Sequence, residues 1–184
     1  YFNRAEKALS EAAYIFEELN DSTNDNALGN TYMFLVACFT ETSDYKKAFY
    51  YASQGIELTE LDETNPKVSL IQYYEILGNL SWKLQNYEQV KEYLNIVSQL
   101  TKSSAGDNAP TLPVLLSRLS MCYLNLEGTE QAEKLAKEAF DKAKALNLSV
   151  KDVSYRVCLD NLSAILVEQK KYKEAIENFE STLN

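Results

Sequence analysis

Hydrophobic residues in this chain recur three and four positions apart, in runs that are separated by polar turns. In the segment from 67 to 102, the two runs are Leu70, Ile71, Tyr74 and Leu77, then Val90, Tyr93, Leu94 and Val97. This spacing places each run on one face of a helix. Asn86 lies between the runs, where its side chain can cap the second helix. The segment therefore predicts two antiparallel helices joined by a tight turn.

Five similar short segments recur along the chain at intervals of 42 or 43 residues. They are Phe2–Ala5, Tyr45–Ala48, Tyr87–Val90, Thr129–Ala132 and Tyr172–Ala175. A period between about 20 and 50 residues indicates stacked helical units. We expect helices near 2–19, 27–41, 45–60, 67–85, 88–102, 112–126, 130–146, 151–170 and 173–183, with loops at 20–26, 62–66, 103–110 and 146–149.

Large and small residues alternate at equivalent positions of the repeat. Leucines stand thirteen positions before the closing residue of four segments, at Leu35, Leu77, Leu119 and Leu162. Small residues stand next to them or seven positions after the closing residue, at Val36, Gly78, Ser120, Ser163, Gly55, Val97 and Ala139. This alternation predicts interdigitated packing between the helices.

The order of leucine, small residue, aromatic, turn, Tyr-x-x-Ala, large residue and small residue resembles the tetratricopeptide repeat. Residues 29–60, 71–102 and 113–144 match whole units, 156–184 a nearly whole one, and 1–19 the second helix of another. The family's usual period is about 34, so this chain is similar to long-period versions, such as those of kinesin light chains and peptide-sensing bacterial regulators. The resemblance implies an all-α fold, an α-α superhelix or right-handed solenoid of about nine helices in antiparallel pairs.

We expect one solenoid domain over residues 1–184, with helix pairs at 27–60, 67–102, 112–146 and 151–184. The chain begins at Tyr1 and stops inside a predicted helix, so we interpret it as a fragment of a longer protein.

In this family the first helix of each pair lines a concave groove that binds peptides or partner proteins. The resemblance implies a groove formed by Asn30, Met33, Gln72, Glu75, Asn79, Trp82, Lys83, Ser117, Met121, Leu124 and Asp160. Alternative interpretations stay open: Trp82 can serve packing, Met33 and Met121 can fill the core, and Glu75 and Asp160 can be solvated charges.

The cationic carboxylate clamp of the family's co-chaperones is not expected here. Asn79 stands where the clamp has an asparagine, but Met33, Glu75, Ser117 and Asp160 occupy its cationic positions. Such a wall favours a protein or peptide ligand with basic or apolar segments.

Composition argues against several other functions. The 27 acidic and 18 basic residues give a net charge of −9, which disfavours nucleic-acid binding. The chain has no histidine, no phosphate-binding loop and no zinc pattern, so we expect no enzyme, no metal and no cofactor. Its apolar runs are too short to span a membrane.

Three cysteines, Cys38, Cys122 and Cys158, cannot all pair within one chain and are interpreted as small core residues. They favour a reducing compartment, the cytoplasm, with a periplasmic or extracytoplasmic sensor as the alternative.

Two functions follow from these features. The first is a protein- or peptide-binding scaffold in the sensory segment of a larger bacterial signalling or regulatory protein. The alternative is a structural module that forms homo-oligomers through its end helices or convex face, because Leu9, Phe16, Ile176 and Phe179 would lack neighbours.

Overall fold

Each apolar run with helical spacing forms an α-helix in the computed structural model, which describes residues 2–19, 25–61 and 66–180. The helices in these ranges are α1 (Phe2–Leu19), α2 (Asp25–Glu41), α3 (Tyr45–Leu61), α4 (Pro66–Lys83), α5 (Tyr87–Ala105), α6 (Leu112–Leu126), α7 (Thr129–Ala145), α8 (Val153–Glu168) and α9 (Tyr172–Glu180). The described part of the chain is therefore all-α with nine helices, as the periodicity predicts.

The helices form two compact units, residues 1–84 and residues 85–184. In the first unit, α2 packs on α1 and α3, and α3 also packs on α4. In the second unit, α6 packs on α5, α7 and α8, while α8 also packs on α7 and α9. The boundary falls inside the predicted helix pair 67–102, so α4 belongs to the first unit and α5 to the second.

The alternating large and small positions of the repeat are buried in both units. The exposed fraction is at most 4% at Leu35, Val36, Leu77, Leu119, Ser120, Leu162 and Ser163. Four of the five closing residues are also buried, namely Ala48, Val90, Ala132 and Ala175, whereas Ala5 is exposed. The repeat positions are thus buried, as the predicted packing between helices requires.

Several helix ends differ from the prediction. The helix α5 continues through Ala105, so the prediction of a loop from residue 103 was wrong. In this last turn the hydroxyls of Ser103 and Ser104 donate to the carbonyls of Leu100 and Thr101, at 2.9 and 3.2 Å. Gly106 follows the helix as its C-cap, and its φ of 78° suits glycine.

The helix α8 begins at Val153 rather than at residue 151. The Asp152 carboxylate accepts a hydrogen bond from the Ser149 backbone N–H at 2.9 Å, which holds residues 149–152 in a turn.

At the start of α5 the predicted cap is confirmed, because the Asn86 side chain accepts from the Gln89 N–H at 3.4 Å. The predicted loops 20–26 and 62–66 were wrong at their last residues, because α2 begins at Asp25 and α4 begins at Pro66. Residues 20–24 and 62–65 and the predicted helix end at 181–183 lie outside the described residues.

The predicted core cysteines differ in their burial. Cys122 and Cys158 are fully buried, and this burial raises the pKa of both thiols to about 11. Cys38 is half-buried, so its assignment to the core was wrong. Cys38 and Cys122 occupy the same position in the repeat. The side chain of Cys38, on α2, nevertheless lies nearer the surface of its unit.

Among the described residues, four turns contain a non-glycine residue in the left-handed region: Ser43, Gln85, Asn147 and Lys170, with φ between 57° and 61°. This conformation costs a residue that carries a Cβ about 1 kcal/mol. Lys170→Gly should therefore increase the free energy of unfolding by about 1 kcal/mol in urea denaturation. Asn147→Gly, also at positive φ, should give a smaller gain because asparagine tolerates the region. A loss of stability in Lys170→Gly would contradict this account.

An ion cluster ties α7 to the turn before α9. The two carboxylate oxygens of Glu133 accept from the Nζ atoms of Lys137 and Lys171, at 2.5 and 2.8 Å. The hydrogen bond from Lys137 has the largest effect, followed by that from Lys171, and they lower the pKa of Glu133 to about 2. Since the pKa is lower in the folded chain, the stabilisation is complete above the unfolded pKa, near 4.5, and is lost as the pH falls towards 2.

Glu133→Gln should therefore be less stable than the wild type at pH 7, and the difference should disappear between pH 4.5 and 2. Urea denaturation across this range measures it. Glu138→Gln, at an exposed glutamate on the same helix, is the matched control and should follow the wild-type pH dependence. A constant difference between Glu133→Gln and the wild type at all pH values would show that the lost contacts are not ionic.

Candidate functional site

A pocket of about 330 Å³ lies in the first unit, between α2 and α4. Its apolar wall is formed by Met33, Val36, Ala37, Ile76 and Leu80. Its polar lining is formed by Thr40, Glu41, Asn79 and Lys83. A pocket of this size can take one or two apolar side chains, and its polar residues can orient what enters.

The helical periodicity explains why these side chains line the pocket. The buried residues of α2 include Tyr32, Leu35 and Phe39, which occupy one face of the helix. Met33, Ala37 and Thr40 stand four and three positions apart along the opposite side. On α4, Ile76, Asn79 and Lys83 follow the same spacing, while Leu77 is buried. The two helices therefore present matching stripes to the pocket.

A second, smaller cavity of about 90 Å³ lies nearer the N-terminal end of α2. Its lining residues are Asp25, Asn26, Gly29, Asn30, Met33, Leu58, Thr59, Gln72 and Tyr73. Met33 thus lines both cavities. We call the larger one the apolar pocket and the smaller one the polar cavity.

Two hydroxyl groups of the polar cavity already donate their protons within the protein. Thr59 Oγ1 donates to the Gly55 carbonyl at 2.6 Å, and Tyr73 Oη donates to the Gly29 carbonyl at 2.9 Å. Burial raises the pKa of Tyr73 to about 12, so this hydroxyl stays protonated at neutral pH. Towards a ligand, both oxygens can therefore act only as acceptors.

The structure brings five of the seven predicted groove residues of the first unit to these cavities. Asn30 and Gln72 line the polar cavity, Asn79 and Lys83 line the apolar pocket, and Met33 lines both. The two others lie outside these linings: Glu75 is half-buried and Trp82 is 41% exposed.

Sequence reasoning missed several residues that line these cavities. Ile76 and Leu80 are apolar residues of α4 that lie outside both the predicted apolar run and the predicted binding face. Glu41 and Asp25 stand at the two ends of α2, outside the stripe that the family resemblance implies. Glu41 follows Ala37 by four positions, so helical spacing extended to the C-terminal end of α2 would have indicated Glu41 as a residue of the same face.

The four predicted groove residues of the second unit are placed differently. Ser117 is completely buried, and its hydroxyl accepts from Asn161 Nδ2 on α8 at 2.8 Å. Its side chain therefore joins α6 to α8 and offers no accessible surface. Met121 and Leu124 are half-buried on α6, and Asp160 is exposed on α8.

The described residues contain no group of three or more histidine, cysteine, aspartate or glutamate side chains placed to hold a metal ion. None of the described helices is long and apolar enough to cross a membrane.

Comparison with known proteins identifies the fold. No protein-family model and no curated protein matches the chain, but solved structures do. The chain superimposes on the apo form of RapI with a TM-score of 0.82 at 15% identity, over 98% of the chain and 48% of RapI. For TPR-like repeats of a putative kinesin light chain from Podosopora anserina, the TM-score is 0.75 at 13% identity, over 98% of the chain and 84% of that protein.

A third similar structure comes from Pyrococcus horikoshii, a signal transduction ATPase with numerous domains that has a tetratricopeptide repeat sensor. Its TM-score is 0.73 at 18% identity, over 95% of the chain and 26% of that protein. These structural neighbours are tetratricopeptide-like repeat proteins, and the chain shares their all-α helical-repeat fold. It spans about half of RapI and about a quarter of the P. horikoshii protein.

Proposed function

We propose that this chain is a non-catalytic scaffold that binds a protein or peptide segment between α2 and α4. It acts as the sensory or interaction segment of a larger bacterial signalling or regulatory protein. The observation that carries the proposal is the apolar pocket of about 330 Å³. Residues of the predicted binding face line it, and it combines apolar contact with a few polar groups, as ligand pockets do.

The similarity to sensor proteins supports the same proposal. One neighbour is named for its tetratricopeptide repeat sensor and belongs to a signal transduction ATPase. Helical repeats of this kind present side chains along stacked helices, which suits recognition of an extended segment by a preformed surface.

The substitution Ala37→Arg tests the proposal directly. Ala37 is exposed and lines the apolar pocket, so an arginine there fills the pocket without disturbing the core. Peptides selected on the wild-type chain from a random dodecapeptide phage library, then synthesised with a fluorescein label, should bind Ala37→Arg at least about tenfold more weakly. Fluorescence anisotropy measures the affinities.

The matched control is Ala145→Arg, at an exposed alanine at the end of α7. It makes the same change of side chain and charge outside both cavities and should bind the peptides as the wild type does. Circular dichroism should show both variants equally helical. If the selected peptides bind Ala37→Arg as tightly as the wild type, the proposed site is wrong.

A specific observation also supports the oligomerisation module as a second candidate. Tyr172, Ile176 and Phe179 stand four and three positions apart on α9 and are 56%, 54% and 45% exposed. Such a stripe can bury itself against a second copy. Sedimentation equilibrium should then show a dimer that Ile176→Lys dissociates. A wild-type monomer at all concentrations would exclude this candidate.

A further inference from the structure

The side chains that line the polar cavity offer more hydrogen-bond acceptor atoms than donor atoms. The hydroxyls of Thr59 and Tyr73 have already donated their protons to backbone carbonyls. Asp25 is the acidic residue of the lining, and a carboxylate group only accepts. The amides of Asn26, Asn30 and Gln72 can accept as well as donate. A group that enters this cavity is therefore favoured if it is rich in donors and positively charged.

The size of the cavity limits which part of a ligand can enter. A volume of about 90 Å³ accepts the head of one side chain, whereas the neighbouring apolar pocket has about 330 Å³. A lysine ammonium or arginine guanidinium supplies several donors at the end of a thin apolar stem. Met33 lies between the two spaces and can contact such a stem.

The two cavities follow each other in the same direction along both helices. Their lining residues are centred roughly nine residues apart on α2 and roughly seven apart on α4. At about 1.5 Å per helical residue, these separations correspond to about 10–13 Å. An extended peptide advances about 3.3 Å per residue, so three or four peptide residues cover this distance.

We propose that the ligand is an extended peptide segment in which a lysine or arginine stands three or four residues from a large apolar residue. The apolar side chain occupies the apolar pocket, and the cationic head occupies the polar cavity beside Asp25. This specificity rests on the proposed function, because it assigns the chemistry of the same peptide-binding site.

A synthetic peptide series tests the spacing and the charge. Fluorescein-labelled nonapeptides of serine and glycine carry one leucine and one lysine, one to six positions apart and in both chain orders. Fluorescence anisotropy should show the tightest binding at separations of three and four. Replacing lysine by norleucine or glutamate at these separations should weaken binding about tenfold, as expected for loss of a charge-assisted hydrogen bond.

Asp25→Asn should remove the preference for lysine over norleucine while leucine still contributes to binding. The matched control is Glu88→Gln, which removes the acidic residue from the first turn of α5 in the other unit. It should keep the full preference. Thermal denaturation monitored by circular dichroism shows that both variants fold.

Three results would overturn the proposal, and they distinguish a failure of the specificity from a failure of the site. If lysine, norleucine and glutamate peptides bind equally while Ala37→Arg still abolishes binding, the cationic specificity is wrong and the peptide-binding function stands. The cationic specificity is also wrong if the glutamate peptides bind best, because the cavity at the N-terminal end of α2 would then bind an anionic group. If Ala37→Arg leaves the binding of every peptide unchanged, the specificity and the proposed site fail together.

Discussion

Gly55→Ala should destabilise the protein by about 3 kcal/mol, although alanine is the better helix former. A Cβ atom at Gly55 would overlap the ring and hydroxyl of Tyr73. That ring is 2% exposed and has little room to move, and its hydroxyl donates to the Gly29 carbonyl. Overpacking and the loss of a buried hydrogen bond each cost about 1–3 kcal/mol. Urea denaturation at pH 7 measures the change.

Gly29→Ala is the matched control for this prediction. Gly29 is also helical, but the nearest atoms to an added Cβ are Leu58 Cδ2 and Tyr73 Oη, at 3.8 and 3.9 Å. With no overlap, the helix propensity of alanine should raise stability by about 0.5–1 kcal/mol. If both variants change stability in the same direction, the close approach of α3 and α4 at Gly55 is not real.

A double-mutant cycle identifies the clash itself. In a Tyr73→Leu background the overlapping ring atoms are gone, so Gly55→Ala should cost much less than in the wild type. Because Tyr73 also lines the polar cavity, a shift of its ring in Gly55→Ala should weaken the lysine peptides more than the norleucine peptides. The packing of α3 on α4 and the chemistry of the site are thus linked through one side chain.

Leu119→Ala should lower the free energy of unfolding by about 3 kcal/mol. Leu119 is 2% exposed on α6, a helix that packs on α5, α7 and α8. Removing a buried leucine side chain loses its transfer free energy and leaves a cavity, at a total cost of about 2–5 kcal/mol. Urea denaturation followed by far-ultraviolet circular dichroism measures the loss.

Leu124→Ala makes the same change on the same helix and serves as the control. Leu124 is half-buried and belongs to the predicted binding face, so its truncation should cost less than about 1 kcal/mol. Equal costs at Leu119 and Leu124 would mean that α6 is rotated, and that the buried and binding faces are assigned incorrectly.

The local pattern of the sequence was sufficient to predict the helices and their buried faces. A helix turns every 3.6 residues wherever it forms, so the spacing of apolar residues identifies the face that it buries. The repeat also predicted which buried positions hold small residues and which hold large ones. Gly55 and Leu119 are both buried, as this pattern predicts. Helix ends were less predictable, because a helix can continue beyond its apolar run, as α5 does through the polar residues Ser103 and Ser104.

The sequence by itself thus determined the all-α repeat fold, whereas the tertiary structure decided which residues of the predicted face are accessible. Met33 and Ser117 stand fifteen positions before their closing residues, and Ile76 and Asn161 stand fourteen before theirs. Asn161 donates to Ser117 and joins α8 to α6, while Met33 and Ile76 line an open pocket between α2 and α4. The physical reason is that the space between two helices depends on side-chain pairs from distant segments, which the periodicity of either helix does not specify.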